Sequence, residues 1–339
     1  MSVAKPSSEI PPDVPTSSML APMFAPVAEE LTAASERLSQ ELRHGDPIID
    51  ELARHSFRIG GKRLRPALLL LTAQAVGEVN DSHRVLAAVV EMIHTATLVH
   101  DDVLDEAVLR RHEATVNARW DNQTSVLLGD YLFSHAFYLA STLETTFGCR
   151  VIGRSTNIVC EGELKQTAAS GNFHLSRETY FQIIDAKTAE LCACCCQLGA
   201  HYAGASDPIT QRLESYGRHL GIAFQIADDL LDLEGDEQFT GKSLGTDLSN
   251  RKMTLPLIEL RDGLDLDQQQ ELQQLIDQPS AEGTVALLDW LTTSGALQRA
   301  RQVADEHVAR AIAKLSDLPE SSAQEALLQI AQFVARRDR

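Results

Sequence analysis

Apolar residues recur at helical spacing along almost the whole chain and hardly ever alternate. From Val27, just after Pro26, the stretch VAEELTAASERLSQELR sets apolar positions three and four apart, as one face of a helix requires. The stretches RPALLLLTAQAVG, HRVLAAVVEMIHTATLVHDDVLDEAVL, TSVLLGDYLFSHAFYLASTLE and LGIAFQIADDLLDL also read as helices. Several are apolar nearly all round, which marks helices at the centre of a bundle. Breaks are expected at Gly60-Gly61, Gly77, Gly148, Ser170-Gly171, Asp207-Pro208 and Gly235. No period-two strand stands out. The pattern predicts an all-α multi-helix bundle of about ten or more helices.

Residues 1–22 are rich in Pro and Ser and read as a disordered tail. Length alone suggests about two domains at roughly 150 residues each. No linker interrupts the interior, however, so residues 23–339 are expected to form one helical domain. The 339 residues are 44% hydrophobic, ample for a large core.

The formal net charge is −18, and the basic residues are dispersed. Nucleic acid is thereby excluded as a partner, since it needs a basic patch or stripe. An acidic chain that handles an anionic substrate must supply cations locally, from metal ions or a few placed Lys and Arg. Four of the six cysteines crowd into Cys192–Cys196. That spacing is neither a disulfide framework nor the paired C-x-x-C of a zinc site. They read as small buried helix fillers in a reducing compartment. No run of about 18 apolar residues exists, so no transmembrane helix is expected. The opening residues lack the apolar core of a secretory signal. The expected location is the cytoplasm.

The candidate chemistry sits in two acidic clusters, Asp101-Asp102-Val103-Leu104-Asp105 and Asp228-Asp229-Leu230-Leu231-Asp232. Each follows a strongly apolar helical run. Residues four apart share a helix face, so Asp101 pairs with Asp105 and Asp228 with Asp232. Such like-charge pairs repel, and burial beside apolar residues adds a desolvation cost. A divalent cation offsets both. Magnesium suits the arrangement because it favours one or two carboxylates together with water and substrate phosphates. One such cluster is also the ordinary solvated end of a helix; two copies, each after an apolar helix, point to metal-bound diphosphate.

These motifs, with GGKRLRP (60–66), HTATLVHDDVLDEAVLRR (94–111), LLGDYLFSHAF (127–137), DAKTAEL (185–191), FQIADDLLDLEGD (224–236) and GKSLGTDLSNRKMTLP (241–256), resemble the trans-isoprenyl diphosphate synthases. That family makes farnesyl, geranylgeranyl and longer polyprenyl diphosphates. The resemblance spans roughly residues 25–339, in order and spacing. It implies the isoprenoid synthase bundle with a central cavity, a homodimer, and joining of an allylic diphosphate to isopentenyl diphosphate. It implies Mg2+, three ions with bound diphosphate, held by Asp101, Asp105 and Asp228 with Asp102, Asp229 and Asp232 in support. Asp101, Asp105, Lys187 and Asp228 are its catalytic set.

The resemblance further assigns Lys62, Arg65, His94 and Arg111 to isopentenyl diphosphate. It assigns Arg110, Lys187, Thr188, Gln225, Lys242 and Lys252 to the allylic diphosphate. The residue types agree: Arg offers a planar fork to phosphate oxygens and Lys a point charge. His94 lies two turns before Asp101, roughly 10 Å down the helix. The loop of Lys242 and Lys252 is placed to close over the diphosphate and exclude water. Ionisation, condensation and elimination follow, with no protein nucleophile.

Product length should depend on the space below Asp101. Ala96 and Thr97 there are small where short-product relatives carry aromatics, which suggests geranylgeranyl length or longer and favours octaprenyl-type products. Transient membrane contact for product release is a further expectation. The basic end ARRDR reads either as helix-terminal charge or as a second approach to phosphate. His112 departs from the family's frequent glycine.

Three rivals are weaker. A class I terpene cyclase would not keep the second aspartate cluster or need Lys62, Arg65 and Arg111. A di-iron bundle could use Glu41/His44 and Glu91/His94, but it lacks two further glutamates. An inactive regulatory subunit would have lost catalytic residues, which this chain retains.

Overall fold

The computed structural model describes residues 20–59, 63–111, 113–234, 246–278 and 280–336. A 3₁₀ turn, Ala21–Val27, leads into α1 (Ala28–Glu41), α2 (Pro47–Arg58), α3 (Leu64–Val76) and α4 (Asp81–Leu104). Two short antiparallel strands follow, β1 (Leu109–Arg110) and β2 (Glu113–Ala114), pairing Leu109 with Ala114 and Arg110 with Glu113. Next come α5 (Val116–Arg119), α6 (Asn122–Ser141), α7 (Phe147–Ala169) and α8 (Arg177–Ile184). A π-turn, Asp185–Ala189, joins α8 to α9 (Glu190–Tyr202), and α10 (Asp207–Glu234) follows. The remainder is α11 (Thr246–Ser249), α12 (Leu255–Asp262), α13 (Leu266–Asp277), α14 (Ala281–Thr293), α15 (Ala296–Ala313) and α16 (Ser322–Ala335).

Local chemistry fixes the helix starts. Asp46 accepts from the Ile48 amide at 2.8 Å and Pro47 follows, so α2 begins there. Asn80 and His83 cap α4 reciprocally, and the other His83 nitrogen meets the Gly199 carbonyl at 3.1 Å on α9. Asp121 opens α6 by accepting from the Thr124 amide at 2.6 Å.

At the centre, α3, α4, α9 and α10 pack on one another, with α6 against α4 and α15 against α10. Leu68 to Leu71 of α3 are all fully buried. Small residues bring the backbones close. A Cβ on Gly199 would lie 2.2 Å from the Leu69 carbonyl oxygen, and one on Gly217 would lie 2.5 Å from that of Cys192. Cys192, Cys194, Cys195 and Cys196 are buried in this seam. Burial pushes the Cys194 thiol up to about 12, so it packs as an uncharged filler.

Two apolar clusters form. The larger gathers α1, α3, α4, α6, α9 and α16; the smaller gathers α8, α12, α13, α14 and the first half of α15. Helix α10 belongs to both: Leu213, Tyr216 and Leu220 face the first, Ile226, Leu230 and Leu233 the second.

The structure corrects the sequence reading in three places. Helix α4 stops at Leu104 instead of running through Leu109; the Ala107 amide turns back to the Asp102 carbonyl at 2.9 Å, and Glu106 has φ +49°. The apolar Val108 and Leu109 that extended the pattern are 65% exposed. Gly148 lies inside α7 rather than at a break. Residues 20–22, assigned to the tail, carry a buried Leu20 at 2% exposure; residues 1–19 lie outside the described residues, as do Gly60, Gly61 and Gly235.

Candidate active site

The first aspartate cluster ends α4 and the second ends α10. Lysines and a short helix after α10 link them. The Lys252 ammonium donates to Asp105 Oδ1 at 3.1 Å and lies 3.9 Å from Asp247 Oδ1. The Asp247 amide in turn donates to Asp232 Oδ2 at 3.0 Å. The two clusters therefore face one site. Lys252 is placed by the turn after α11, where its own amide bonds the Asp247 carbonyl at 2.8 Å. Burial works against its charge, but Asp105 and Asp247 hold the ammonium above its ordinary range.

Lys187 sits in the π-turn between α8 and α9. Its ammonium is 2.5 Å from Glu163 and 3.8 Å from Asp101 Oδ2. Such turns collect at functional sites. Here the Glu190 amide reaches back five residues to the Asp185 carbonyl. Gly162 of α7 backs the turn; a Cβ there would be 2.7 Å from the Lys187 nitrogen. Beside it, the Thr188 hydroxyl donates to Gln225 Oε1 at 2.8 Å, and Gln225 Nε2 donates to Asp229 Oδ1 at 2.8 Å. The Tyr180 hydroxyl completes the row, donating to Asp229 Oδ2 at 2.6 Å.

Within each cluster the carboxylates divide. Asp102 is 1% exposed and receives Arg110 Nε at 2.9 Å and a second guanidinium nitrogen at 2.8 Å. Asp229 is 4% exposed and held by Tyr180 and Gln225. Burial, then the charges of Asp247 and Asp228, push the Asp229 carboxyl well above its usual range. Asp102 and Asp229, read from sequence as supporting metal ligands, are thus committed to protein partners: neighbouring residues on a helix point about 100° apart. Arg110, assigned to the allylic diphosphate, is likewise anchored on Asp102. Asp101, Asp105, Asp228 and Asp232 are the half-buried or exposed members.

These residues suit a hard cation. Burial, with Glu163 and Asp105 nearby, pushes Asp101 up to about 6 despite Lys187, so its charge is under-compensated. Among the described residues no three acidic, His or Cys side chains are grouped to hold a metal by themselves. Magnesium shared with substrate phosphate fits such one- and two-carboxylate sets. The di-iron reading meets glutamates that already have partners: Glu41 is held by Arg37 and His135, and Glu91 lies 3.6 Å from Arg63.

A basic site adjoins the first cluster. Arg65 donates to His94 Nε2 at 2.9 Å, so that nitrogen is the acceptor. Burial first, then Arg65, Arg110 and Arg111, hold His94 neutral, well below its ordinary value. Three guanidinium groups, those of Arg65, Arg110 and Arg111, thus bear on one uncharged imidazole. Lys62, Lys242, His112 and residues 337–339 lie outside the described residues. Ala96 is fully buried on α4, and the Thr97 hydroxyl is turned to the His94 carbonyl at 2.8 Å.

Sequence reasoning left Glu163, Tyr180 and Asp247 unassigned. Asp247 stood inside a quoted motif; the other two carry no local signal, because their partners lie in distant segments.

The polyprenyl synthetase family model matches residues 46–288. The chain is 36% identical over 313 residues to octaprenyl diphosphate synthase of Escherichia coli, covering 92% of this chain and 97% of that protein. It is 36% identical to the all-trans-nonaprenyl-diphosphate synthase (geranyl-diphosphate specific) of Rhodobacter capsulatus, covering 93% of this chain and 97% of that one. Among solved structures, a polyprenyl synthase from Caulobacter crescentus, complexed with calcium and isoprenyl diphosphate, superposes with TM-score 0.89 at 34% identity, covering 94% of this chain and 98% of the other. No helix among the described residues is long and apolar enough to cross a membrane. With fold, aspartate clusters and overall likeness in agreement, this chain belongs to the polyprenyl synthetase family.

Proposed function

We infer that the chain is a trans-polyprenyl diphosphate synthase of the long-chain class. It condenses an allylic diphosphate with isopentenyl diphosphate, repeatedly, to an all-trans product. Family membership and the octaprenyl- and nonaprenyl-forming relatives support the reading. The observation that carries it is the bridge from Asp105 through Lys252 and Asp247 to Asp232, which sets two carboxylate clusters around one space.

Magnesium, three ions with bound diphosphate, is proposed at Asp101, Asp105, Asp228 and Asp232. When bound it supplies electrostatic stabilisation of the departing diphosphate. The chain's own residues do the rest. Lys187 and Lys252, now paired with carboxylates, are placed to turn to phosphate oxygens. Thr188 and Gln225, tied to the second cluster, flank the ionising carbon. Arg65, Arg111 and His94, with Lys62, hold isopentenyl diphosphate so that its double bond lies within attack distance. The allylic C–O bond breaks, the new C–C bond forms, and the proton then lost passes to the departed diphosphate.

The exposed apolar Val126, Leu127 and Tyr138 of α6 support a homodimer. The free thiols of Cys192–Cys196 support the reducing cytoplasm as its place of work. Incubation with geranyl, farnesyl or geranylgeranyl diphosphate plus isopentenyl diphosphate and magnesium should give products longer than geranylgeranyl. No consumption of isopentenyl diphosphate, or a stop at geranylgeranyl, refutes the assignment.

A further inference from the structure

We propose that His55 is a positioning residue for isopentenyl diphosphate: it fastens the arginine-bearing hairpin to α2, so that this wall of the basic site is held in place. The inference rests on the prenyltransferase reading above.

The basic site has two walls. One is the start of α3, where Arg65 reaches His94. The other wall is the β1–β2 hairpin, which carries Arg111 next to Arg110, the latter held on Asp102. Nothing in a two-residue strand pair is stable by itself. Glu106 at φ +49° and Arg111 at φ +53° flank or enter it in a backbone region that side chains disfavour. The hairpin therefore needs external ties.

Thr115 and Asn117 pin its base: the Thr115 hydroxyl donates to the Ala107 carbonyl at 2.7 Å, and Asn117 donates to the same oxygen at 3.0 Å. The tie to α2 is His55. Its Nε2 lies 2.8 Å from the Ala114 carbonyl, a pure acceptor, so Nε2 carries the proton. Its Nδ1 lies 3.3 Å from Arg58 and 3.2 Å from Arg119, both pure donors, so Nδ1 accepts. His55 is thus neutral, in one tautomer, with both nitrogens used, and only 4% exposed. Arg58 also donates to Glu113 Oε2 at 3.1 Å, so α2 grips both residues of β2. The edge of the ring meets Trp120 at 5.2 Å, and Arg119 covers that indole while pairing with Glu51 at 2.6 Å.

The charged groups facing His55 are Arg58 from α2, Arg119 from α5 and Glu113 from the hairpin. Adding a proton at Nδ1 opposes two guanidinium groups and breaks both of their bonds. Burial first, then Arg119 and Arg58, keep the imidazole below its ordinary value, outweighing the Ala114 bond and Glu113. The joint is thus intact at neutral pH and released in acid.

The test compares wild type with His55→Gln, which keeps a donor near Ala114 but removes the acceptor for Arg58 and Arg119. The KM for isopentenyl diphosphate should rise roughly tenfold, while kcat and the KM for the allylic diphosphate stay within about twofold. Hydrogen exchange at the Thr115 amide, bonded to the Val108 carbonyl at 3.2 Å, should speed up while α10 stays protected. An unchanged KM for isopentenyl diphosphate, or an equal loss for both substrates, overturns the proposal. If the glutamine variant does not fold, Arg58→Met, which alters a side chain 56% exposed, must give the same selective rise, and its absence is equally decisive. A wild type that never consumes isopentenyl diphosphate sinks the functional reading instead, and hydrogen exchange then still judges the joint.

Discussion

Gly162→Ala should separate catalysis from stability. Gly162 is buried on α7 against the π-turn. An added Cβ would lie 2.7 Å from the Lys187 nitrogen and 2.8 Å from the Ala186 Cβ. Both are fixed atoms, not the ends of flexible side chains. Ordinary contact starts at 3.4 Å, so the turn or α7 must shift by about 0.7 Å. Overpacking of this kind costs about 1–3 kcal/mol. Replacing a mid-helix glycine by alanine returns about 1 kcal/mol. The net loss of unfolding free energy should stay at or below about 2 kcal/mol, leaving a folded enzyme. The displaced turn, however, carries Lys187 and Thr188. A misplacement of about 1 Å costs up to a hundredfold in rate, so a kcat roughly ten- to a hundredfold lower is expected. Gly153→Ala on the same helix is the control, because its Cβ would meet only Phe137 at 3.8 Å. It should keep full activity and gain up to about 1 kcal/mol. Urea unfolding and steady-state kinetics on both variants decide the matter. Equal kcat in the two would refute the claim that the π-turn positions catalytic groups.

Tyr180→Phe removes the donor to Asp229 and leaves a buried carboxyl oxygen short of a partner; unfolding should become easier by about 1–3 kcal/mol, measured by denaturant titration. Asp101 titrates at about 6 when folded against an ordinary 3.8, so the folded state binds more protons in that window. Metal-free stability should therefore fall as pH rises through the window, by about 3 kcal/mol at about 1.36 kcal/mol per unit. In chelator the drop should vanish in Asp101→Asn, and an identical pH dependence in the two proteins would exclude it. Ala96→Tyr fills a fully buried position below Asp101 and should shorten the product, read with radiolabelled isopentenyl diphosphate.

The helical bundle was legible because its apolar residues keep one period over long runs. The aspartate pairs were legible because residues four apart share a helix face whatever the tertiary fold. Within each cluster, burial separates Asp102 and Asp229 from their neighbours, and only packing reveals which side of a helix end faces the protein. The end of α4 is not legible in the sequence, because Val108 and Leu109 continue an apolar pattern although both are exposed at the hairpin. His55 meets a carbonyl 59 residues away, and Tyr180 a carboxylate 49 residues away. Partnerships at that range leave no trace in local spacing. The π-turn was hidden for a different reason: DAKTAEL has ordinary helix-forming composition, and the inserted residue appears only in the backbone bonding.

That insertion restricts what lengths the chain can take. Each residue turns a helix by about 100°, so α8 and α9 are out of phase by that amount relative to an unbroken helix. Deleting Ala186 would let the backbone heal into a regular spiral, a gain locally. It would also swing either Tyr180 off Asp229 or the cysteine face off α3 and α10. The number of residues between Tyr180 and Cys192 is thus geared to two separate contacts, and a single-codon loss there cannot be absorbed by sliding.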